Sequence, residues 1–461
     1  MLKPSRGIRA SVVIFTLLPG LRGADLWWET RMGGQPAGYL HERSEGLTTF
    51  SETRIVINRM GSRVQIEGST RSEQTADGRL SRFRSETKTS AQGTAMEGEV
   101  AGQAIALRIS AGGKTYDRSV PLSGDLLGPE GARRLTLARL KSPGDSVSYQ
   151  LFVPELGAVS TVTRRLVAPG RVEEEMTGIP GKAAVWLDGE GRIERQVQPG
   201  PFGEVEVVRA AREVAMAAAG ATLPAESFRQ TLVHSAVKLP SPRKIERLRI
   251  RIVHKKPELG WPELASENQT VIEKSADSVV LEIRRPKVTR HGTGPAASDL
   301  APNALFQSDD EEVQKIAKTV VAGDTDAFRS ALALRDWVKG NMQFDYGSIT
   351  VVPASEVARD RKGTCFAYAI LLGSLARAAG IPSRLKMGLA YTDGIWGGHA
   401  WVEVWMDGAW IPLDAALPSP DVADAARFAF FTSSLDEGTL TGIGSLAQLL
   451  GNVDIQILSY R

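Results

Sequence analysis

The chain has 461 residues, with 56 basic and 53 acidic side chains and a net charge of +3 at pH 7. This length is enough for roughly two or three domains with their own cores. Hydrophobic residues make up 42% and charged residues 24%, which excludes a disordered or fibrous chain. The near balance of charge argues against nucleic-acid binding as the main function, so we expect no nucleic-acid partner.

Residues 1–24 have the pattern of a signal peptide. Lys3, Arg6 and Arg9 precede the apolar run ASVVIFTLLPGL, which is too short to span a bilayer readily. We expect cleavage at the end of this segment and export to the periplasm or the extracellular space. Retention of the segment as an anchor is the alternative, and after cleavage we expect no stable membrane insertion.

Short alternating runs predict an antiparallel β domain over 25–212, arranged as a meander that is closed or strongly curved like a barrel. Asp-Gly and Gly-Gly between such runs favour hairpins. They occur in ADGR at 76–79, AGGK at 111–114 and LDGEGR at 187–192. No catalytic pattern stands out here, and a packing role and the binding of an apolar ligand both stay open.

Residues 213–235 are typical of a short helix and a linker. The runs KIERLRIRIVH and DSVVLEIRRP then predict strands within 236–295, either as a small second β domain or as a continuation of the first. A Gly- and Pro-rich stretch marks the next boundary. Residues 300–461 form a mixed domain, in which SDDEEVQKIAKTVV opens a helix with Ser308 and Glu311 as a capping box. The predicted fold class is therefore α+β.

Cys365 is the only cysteine, so the chain cannot form an intramolecular disulfide. It follows Gly363 and Thr364 and precedes apolar residues at helical spacing, which predicts a place in the first turn of a buried helix. A helix N-terminus favours negative charge, and a nearby imidazolium lowers the pKa of a thiol below its usual value of about 8.5. The alternative is a small buried apolar residue without chemistry.

The hairpin HAWVEVWMDGAWIPLD supplies a candidate partner for this thiol. Asp407-Gly408 is a two-residue turn, and the simplest register places Trp405 opposite Trp410. His399 then becomes a diagonal neighbour of Asp414 on one face, an arrangement that a one-residue bulge would destroy. A carboxylate there fixes the imidazole tautomer and leaves the other ring nitrogen for a thiol.

Three further residues are candidates for a substrate cleft beside His399. Trp401 and Glu403 share its predicted face, and Gly398 precedes it. Trp401 also suits a packing role, and Glu403 suits a supporting or a solvated position.

The segments GTCFAYAILLGSLARAAGIPSR and HAWVEVWMDGAWIPLDAAL together resemble the core of the transglutaminase-like superfamily, which has a papain-like fold. The resemblance covers about 330 to 420 and extends less clearly over the rest of the C-terminal domain. By position it implies Cys365 as the nucleophile, His399 as the base and Asp414 as the orienting acid. The strand-rich part upstream resembles the architecture of exported bacterial members.

The sequence departs from this pattern at two positions. Ala367 stands where members often carry an acidic residue, and Ala415 stands where proline is common. Neither change removes a group of the implied triad, so the departures leave only the subfamily open.

The resemblance implies cysteine-dependent acyl transfer on protein or peptide amides through a thioester. The backbone N–H of Cys365 is one expected oxyanion donor, and Gln343 and Trp337 are candidates for a second. Hydrolysis by a peptidase or amidase is the preferred form, with protein-glutamine transglutaminase as the alternative.

Two readings without catalysis also stay open: a scaffold that has lost activity, and a carrier in which the N-terminal β domain binds the ligand. We expect neither a metal nor a cofactor, because paired cysteines and an HExxH motif are absent from the sequence. The sequence does not define an oligomeric state.

Overall fold

The computed structural model describes eight stretches of the chain. They fall into two compact units, one within residues 12–227 and the other within 228–438 and 448–461. The predicted signal peptide lies outside the described residues. The described stretches are 25–59, 62–89, 92–200, 203–221, 231–286, 294–345, 352–436 and 448–461.

The described part of the N-terminal unit is built on a 14-stranded sheet with two short helices. The strands are β1 (Asp25–Met32), β2 (Gln35–Glu45), β3 (Thr48–Arg59), β4 (Ser62–Gln74), β5 (Leu80–Thr89), β6 (Gln92–Ala101), β7 (Ala104–Ala111), β8 (Lys114–Pro121), β9 (Ser146–Val153), β10 (Ala158–Ala168), β11 (Arg171–Met176), β12 (Ile179–Leu187), β13 (Ile193–Gly200) and β14 (Gly203–Arg209). The helices are α1 (Pro129–Arg139) and α2 (Arg212–Ala218).

Neighbouring strands of this sheet are antiparallel, and the order runs from β8 back to β1 and then from β14 back to β9. β1 pairs with both β2 and β14, so it joins the two halves. The prediction of an antiparallel meander in this part of the chain is confirmed.

Alternation along the strands gives the N-terminal sheet a buried face. Trp28, Val172, Val185 and Val207 pack together on it, while Ala132 of α1 packs against strands β9 and β10. Polar groups are buried as well. In one buried ion pair, Arg164 donates to Glu174 at 2.7 Å.

In its described residues, the C-terminal unit combines three sheets with four named helices. The strands are β15 (Val233–His234), β16 (Arg247–His254), β17 (Gln269–Lys274), β18 (Ser278–Arg284), β19 (Gln343–Phe344), β20 (Lys362–Gly363), β21 (Ser383–Thr392), β22 (Ile395–Met406), β23 (Ala409–Leu413), β24 (Arg427–Ser433) and β25 (Val453–Tyr460). The helices are α3 (Glu311–Val321), α4 (Ala327–Asn341), α5 (Ala354–Asp360) and α6 (Cys365–Ala378), with single 3-10 turns at Pro242–Lys244, Pro257–Leu259 and Ala297–Asp299.

One sheet of this unit follows the order β15-β22-β21-β24, with β23 also paired to β22. A second follows the order β17-β18-β16-β25, and β19 and β20 form a short parallel pair. Every residue of α6 from Cys365 to Arg377 is buried. The predicted buried helix is thus confirmed, and it lies among the other helices and strands β21 and β22.

The described residues of 236–295, which the sequence suggests as a small β domain, belong to the same compact unit as the rest of the C-terminal part. The last strand of the chain, β25, pairs with β16 and places Ile455 opposite Ile252. The side chain of Gln269 also bonds both backbone groups of Ala429 in β24, each at 2.8 Å. The Gln269 bonds link the two sheets, and the pairing of β25 with β16 joins the end of the chain to the same unit.

Helix α3 begins slightly later than its predicted cap. Asp310 is the N-cap, and its carboxylate accepts the backbone N–H groups of Glu312 and Val313. The predicted capping box from Ser308 to Glu311 is therefore wrong. Among the described residues, no helix has the length and apolar character needed to cross a membrane.

Candidate active site

A sharp entry into α6 places Cys365 at the start of the helix. Gly363 pairs with Phe344 in the short parallel sheet and has a φ of 150°, which a residue with a Cβ atom rarely adopts. Thr364 is extended and Cys365 is the first helical residue. The cysteine is only 7% exposed. The glycine two residues before the cysteine is thus needed for the turn that presents the thiol.

The β22–β23 hairpin has the predicted register. Trp405 lies opposite Trp410 and Val402 opposite Leu413, without an interruption between them. The side chains of Val402 and Leu413 are fully buried. Because no bulge intervenes, the diagonal relation between His399 and the residue after β23 is preserved.

His399 and Asp414 form a direct hydrogen bond. The Nε2 atom of His399 lies 2.6 Å from Oδ2 of Asp414. The second carboxylate oxygen, Oδ1, accepts the backbone N–H groups of Ala416 and Leu417, both at 2.9 Å. His399 is 9% and Asp414 3% exposed, so the carboxylate is fixed from two sides in a buried position.

Cys365 completes the group. Its side chain is hydrogen-bonded to His399, and since Nε2 faces Asp414, Nδ1 is the ring nitrogen left for the thiol. β22 pairs with β15 only through Ile395 and Trp396, and with β23 only from Val402 onward. His399 therefore lies between these partners on the strand. The structure brings together all three residues of the predicted triad.

The charges in this group shift its proton equilibria in opposite directions. Burial alone would lower the pKa of His399, but attraction to Asp414 and Cys365 and hydrogen bonds to both raise it to about 9. Burial opposes ionisation of Asp414, yet the charges of His399 and Arg427 hold the pKa of that carboxyl well below its usual range. At neutral pH the site thus favours imidazolium beside carboxylate.

Arg427 is a residue of the site that the sequence did not predict. It is 2% exposed, and its Nη1 donates to the same Oδ2 of Asp414 that His399 contacts. Its Nη2 donates to Asp424 at 2.5 Å and to the carbonyl oxygen of Leu417 at 3.0 Å. A close approach of β24 to β21 brings it here, since a Cβ on Gly388 would lie 1.8 Å from the carbonyl oxygen of Phe428.

The three cleft candidates are all buried. Trp401 stacks on the imidazole of His399 with 5.9 Å between ring centres and 21° between planes. Glu403 is paired with Lys386 at 3.0 Å and with Arg384. Gly398 lies opposite Leu389 in β21. Trp401 thus forms one wall of the site, while the carboxylate of Glu403 forms ion pairs with Arg384 and Lys386.

The two candidates for a second oxyanion donor lie beside the segment that precedes Cys365. The backbone N–H of Gln343 donates to the carbonyl oxygen of Arg361 at 2.8 Å. The guanidinium carbon of Arg361 in turn lies 5.1 Å from the centre of the Trp337 ring. Within the stretches that the structure covers, no group of three His, Cys, Asp or Glu side chains is arranged to hold a metal ion.

A thiol at a helix start, bonded to an imidazole that is itself bonded to a carboxylate, has the order of groups of a nucleophile–base–acid triad. Comparison with known proteins identifies a protein family that matches this part of the chain. Residues 314–415 match the family model of the transglutaminase-like superfamily. This segment contains Cys365, His399 and Asp414, and the C-terminal unit therefore carries a transglutaminase-like domain.

Two solved structures are similar to parts of the chain. A provisionally named cysteine protease from Cytophaga hutchinsonii is 18% identical over 47% of this chain and 88% of that one, with a TM-score of 0.32. A β-barrel-like protein of a domain of unknown function from Brucella abortus is 10% identical over 41% and 97%, with the same TM-score. A search of curated protein sequences gave no match. Such distant similarities carry no argument about activity.

Proposed function

We propose that the C-terminal unit is a cysteine-dependent acyl-transfer enzyme that acts on amide bonds of proteins or peptides. Cys365 is the nucleophile, His399 the general acid and base, and Asp414 the residue that orients the imidazole. The observation that carries the proposal is the unbroken series of side-chain contacts from Cys365 through His399 to Asp414. Residues 1–24 favour action outside the cytoplasm.

The first half-reaction forms a thioester. The Cys365 thiolate attacks the carbonyl carbon of the amide, and the carbonyl oxygen takes up the electron pair. When that pair returns, the carbon–nitrogen bond breaks and His399 gives its Nδ1 proton to the departing amine. In this proposal the backbone N–H of Cys365 stabilises the oxyanion, and Gln343 and Trp337 are the candidates for a second donor.

The second half-reaction releases the acyl group. Water gives a proton to His399 and attacks the thioester carbon, and the carbon–sulfur bond breaks to restore the thiolate and imidazolium. Hydrolysis needs no binding site beyond that of the acyl donor, and it is the form that we propose. An amine acceptor would instead make the enzyme a protein-glutamine transglutaminase. The stacking of Trp401 on His399 favours this alternative, because it shields one side of the site from water.

The pH dependence of Cys365 alkylation tests the proposal without a known substrate. The rate with iodoacetamide is followed by mass spectrometry in the wild type, in His399→Ala and in His234→Ala, which removes an exposed histidine on β15. We expect rapid alkylation well below pH 8.5 in the wild type and His234→Ala, and an ordinary thiol profile in His399→Ala. A wild-type midpoint near the ordinary thiol value of about 8.5 would overturn the proposal.

The acceptor is tested separately. A glutamine-containing peptide is offered with and without a labelled primary amine, and both ammonia release and label incorporation are measured. Release without incorporation supports hydrolysis, whereas incorporation that depends on Cys365 supports transfer. Equal rates in the wild type and Cys365→Ala would exclude both forms for that peptide.

A further inference from the structure

We propose that Arg427 is a positioning residue of this site, which clamps the Asp414 carboxylate and sets the charge balance of the Cys365–His399 pair. The inference rests on the proposed function and extends it to a residue outside the implied triad. Arg427 acts through Asp414, since its guanidinium donates to that carboxylate.

The guanidinium of Arg427 bridges two buried carboxylates. One nitrogen donates to Asp414, and the other donates to Asp424 at 2.5 Å and to the carbonyl oxygen of Leu417 at 3.0 Å. Only Nη1 contacts Asp414, but the bonds of Nη2 to Asp424 and Leu417 fix the plane of the guanidinium and so the direction of the bond to Asp414. The compact ammonium group of a lysine lacks this planar arrangement of donors.

Asp424 is held on its other sides and so anchors the clamp. Its carboxylate accepts the hydroxyl of Ser419 at 2.6 Å and the backbone N–H of Ala426 at 2.8 Å. Arg243, which precedes β16, lies 3.0 Å from the same carboxylate. Asp424 is 1% exposed. The contacts with Asp424 thus hold the guanidinium of Arg427 in position, so its orientation does not depend on Asp414 alone.

The charged groups around Arg427 alternate in sign along a line of contacts. The charged groups that contact Arg427, or are connected to it through Asp414 or Asp424, lie on α6, on β22, in the segment that follows β23 and in the segment before β16. They are Cys365, His399, Asp414, Asp424 and Arg243. With a thiolate and an imidazolium, the six groups including Arg427 carry no net charge.

Loss of the charge of Arg427 or of Asp424 has a predictable effect on the proton affinities of Cys365 and His399. Without Arg427 the surroundings become more negative, so His399 holds its proton more tightly and the Cys365 thiolate is destabilised. Without Asp424 the surroundings become more positive, and both effects reverse. If Arg427 and Asp424 only supported the fold, their loss would not shift the pKa values of Cys365 and His399 in opposite directions.

The pH profile of Cys365 alkylation by iodoacetamide measures these shifts. The wild type is expected to show a lower inflection, where the thiol ionises beside imidazolium, and an upper one, where His399 loses its proton. In Arg427→Gln both inflections move to higher pH, and in Asp424→Asn both move to lower pH. A displacement of about one pH unit changes the rate about tenfold on the acid limb.

Arg377→Gln is the matched control, because it makes the same change at an equally buried arginine. The hydrogen bonds of Arg377 go to Ser383 and to the carbonyl oxygens of Ala301 and Ser434. The inflections of this variant should stay in place. Circular dichroism identifies which variants fold, and either folded variant decides the question by the sign of its shift. Unmoved inflections, or shifts in one common direction, would overturn the role of Arg427. A wild type with one ordinary thiol inflection would instead overturn the proposed function.

Discussion

The substitution Asp414→Asn removes one charge from the buried site with little change of shape. The carboxylate accepts four hydrogen bonds, two on each oxygen: from His399 and Arg427 on one, and from the N–H groups of Ala416 and Leu417 on the other. An amide has only one oxygen. Whichever way it turns, its NH₂ group faces two donors, so the variant cannot reproduce the native hydrogen bonds.

The size of the effect follows from the proton affinity of His399. Burial lowers its pKa, and attraction to Asp414 is the largest effect that opposes burial and raises the pKa from 6.5 to about 9. That interval corresponds to about 3 kcal/mol. Without Asp414 we expect a neutral imidazole at pH 7. Cys365 then behaves as an ordinary thiol that is about 3% ionised, and alkylation at pH 7 slows about thirtyfold.

The assay is the rate of iodoacetamide alkylation at pH 7, together with urea unfolding. Loss of one partner of a buried ion pair is expected to lower the free energy of unfolding by about 3–5 kcal/mol. Asp407→Asn is the matched control, because it makes the same chemical change at an exposed turn of the same hairpin. Its φ of 51° is one that asparagine tolerates. A folded Asp414→Asn protein that reacts as fast as the wild type would refute the reasoning.

Three further substitutions test the physical account of the fold. Glu42 is fully buried, and burial and the nearby charge of Glu130 raise its pKa well above the usual value. Ionisation of Glu42 therefore lowers the stability of the folded state as pH rises above about 4.3, the pKa of a glutamate in the unfolded chain. Glu42→Gln should raise the urea midpoint at pH 8 and leave it unchanged near pH 4. Gln269→Ala leaves two backbone groups of β24 unpaired and should lower the free energy of unfolding by about 2–4 kcal/mol. Gly363→Ala places a Cβ at a φ of 150°, which should cost about 1–3 kcal/mol and slow Cys365 alkylation.

The first two of these substitutions each have a control variant. Glu45→Gln changes an exposed residue of the same strand as Glu42 and should have no effect at pH 8. Gln456→Ala removes an exposed glutamine side chain from β25, so an equal loss in both glutamine variants would contradict the role of Gln269. For Gly363→Ala, an unchanged alkylation rate would show that the turn does not position the thiol.

The sequence predicted the parts of the site that depend on local rules. The Asp407-Gly408 turn defines the hairpin register, and two-residue alternation then gives the relation between His399 and Asp414. The placement of Cys365 at a helix start follows from the glycine, the apolar spacing and the helix stop. The same local reasoning fails at α3, where Ser308, Asp309 and Asp310 are consecutive candidates for a cap and helix spacing does not choose among them.

Arg427 could not be predicted, because its position depends on pairing between strands that are distant in the sequence. β24 joins β21 antiparallel, and the register shifts between Met387 and Gly388. Simple alternation along β24 therefore does not reveal which side chains reach Asp414. The pairing of β25 with β16 is similarly hidden, since about 200 residues separate the two strands.

The extent of the family match has a structural consequence. It ends at residue 415, yet the arginine that balances the charge of Asp414 beside His399 is Arg427. Arg427 is paired in turn with Asp424, and Asp424 with Arg243. A buried carboxylate without these partners would be costly, because desolvation disfavours an unbalanced charge. We therefore expect residues 314–415 alone not to hold the site in its native form. Pairing of β24 with β21 and packing of the segment before β16 supply the missing charges, so we expect site assembly to be coupled to folding of the C-terminal unit.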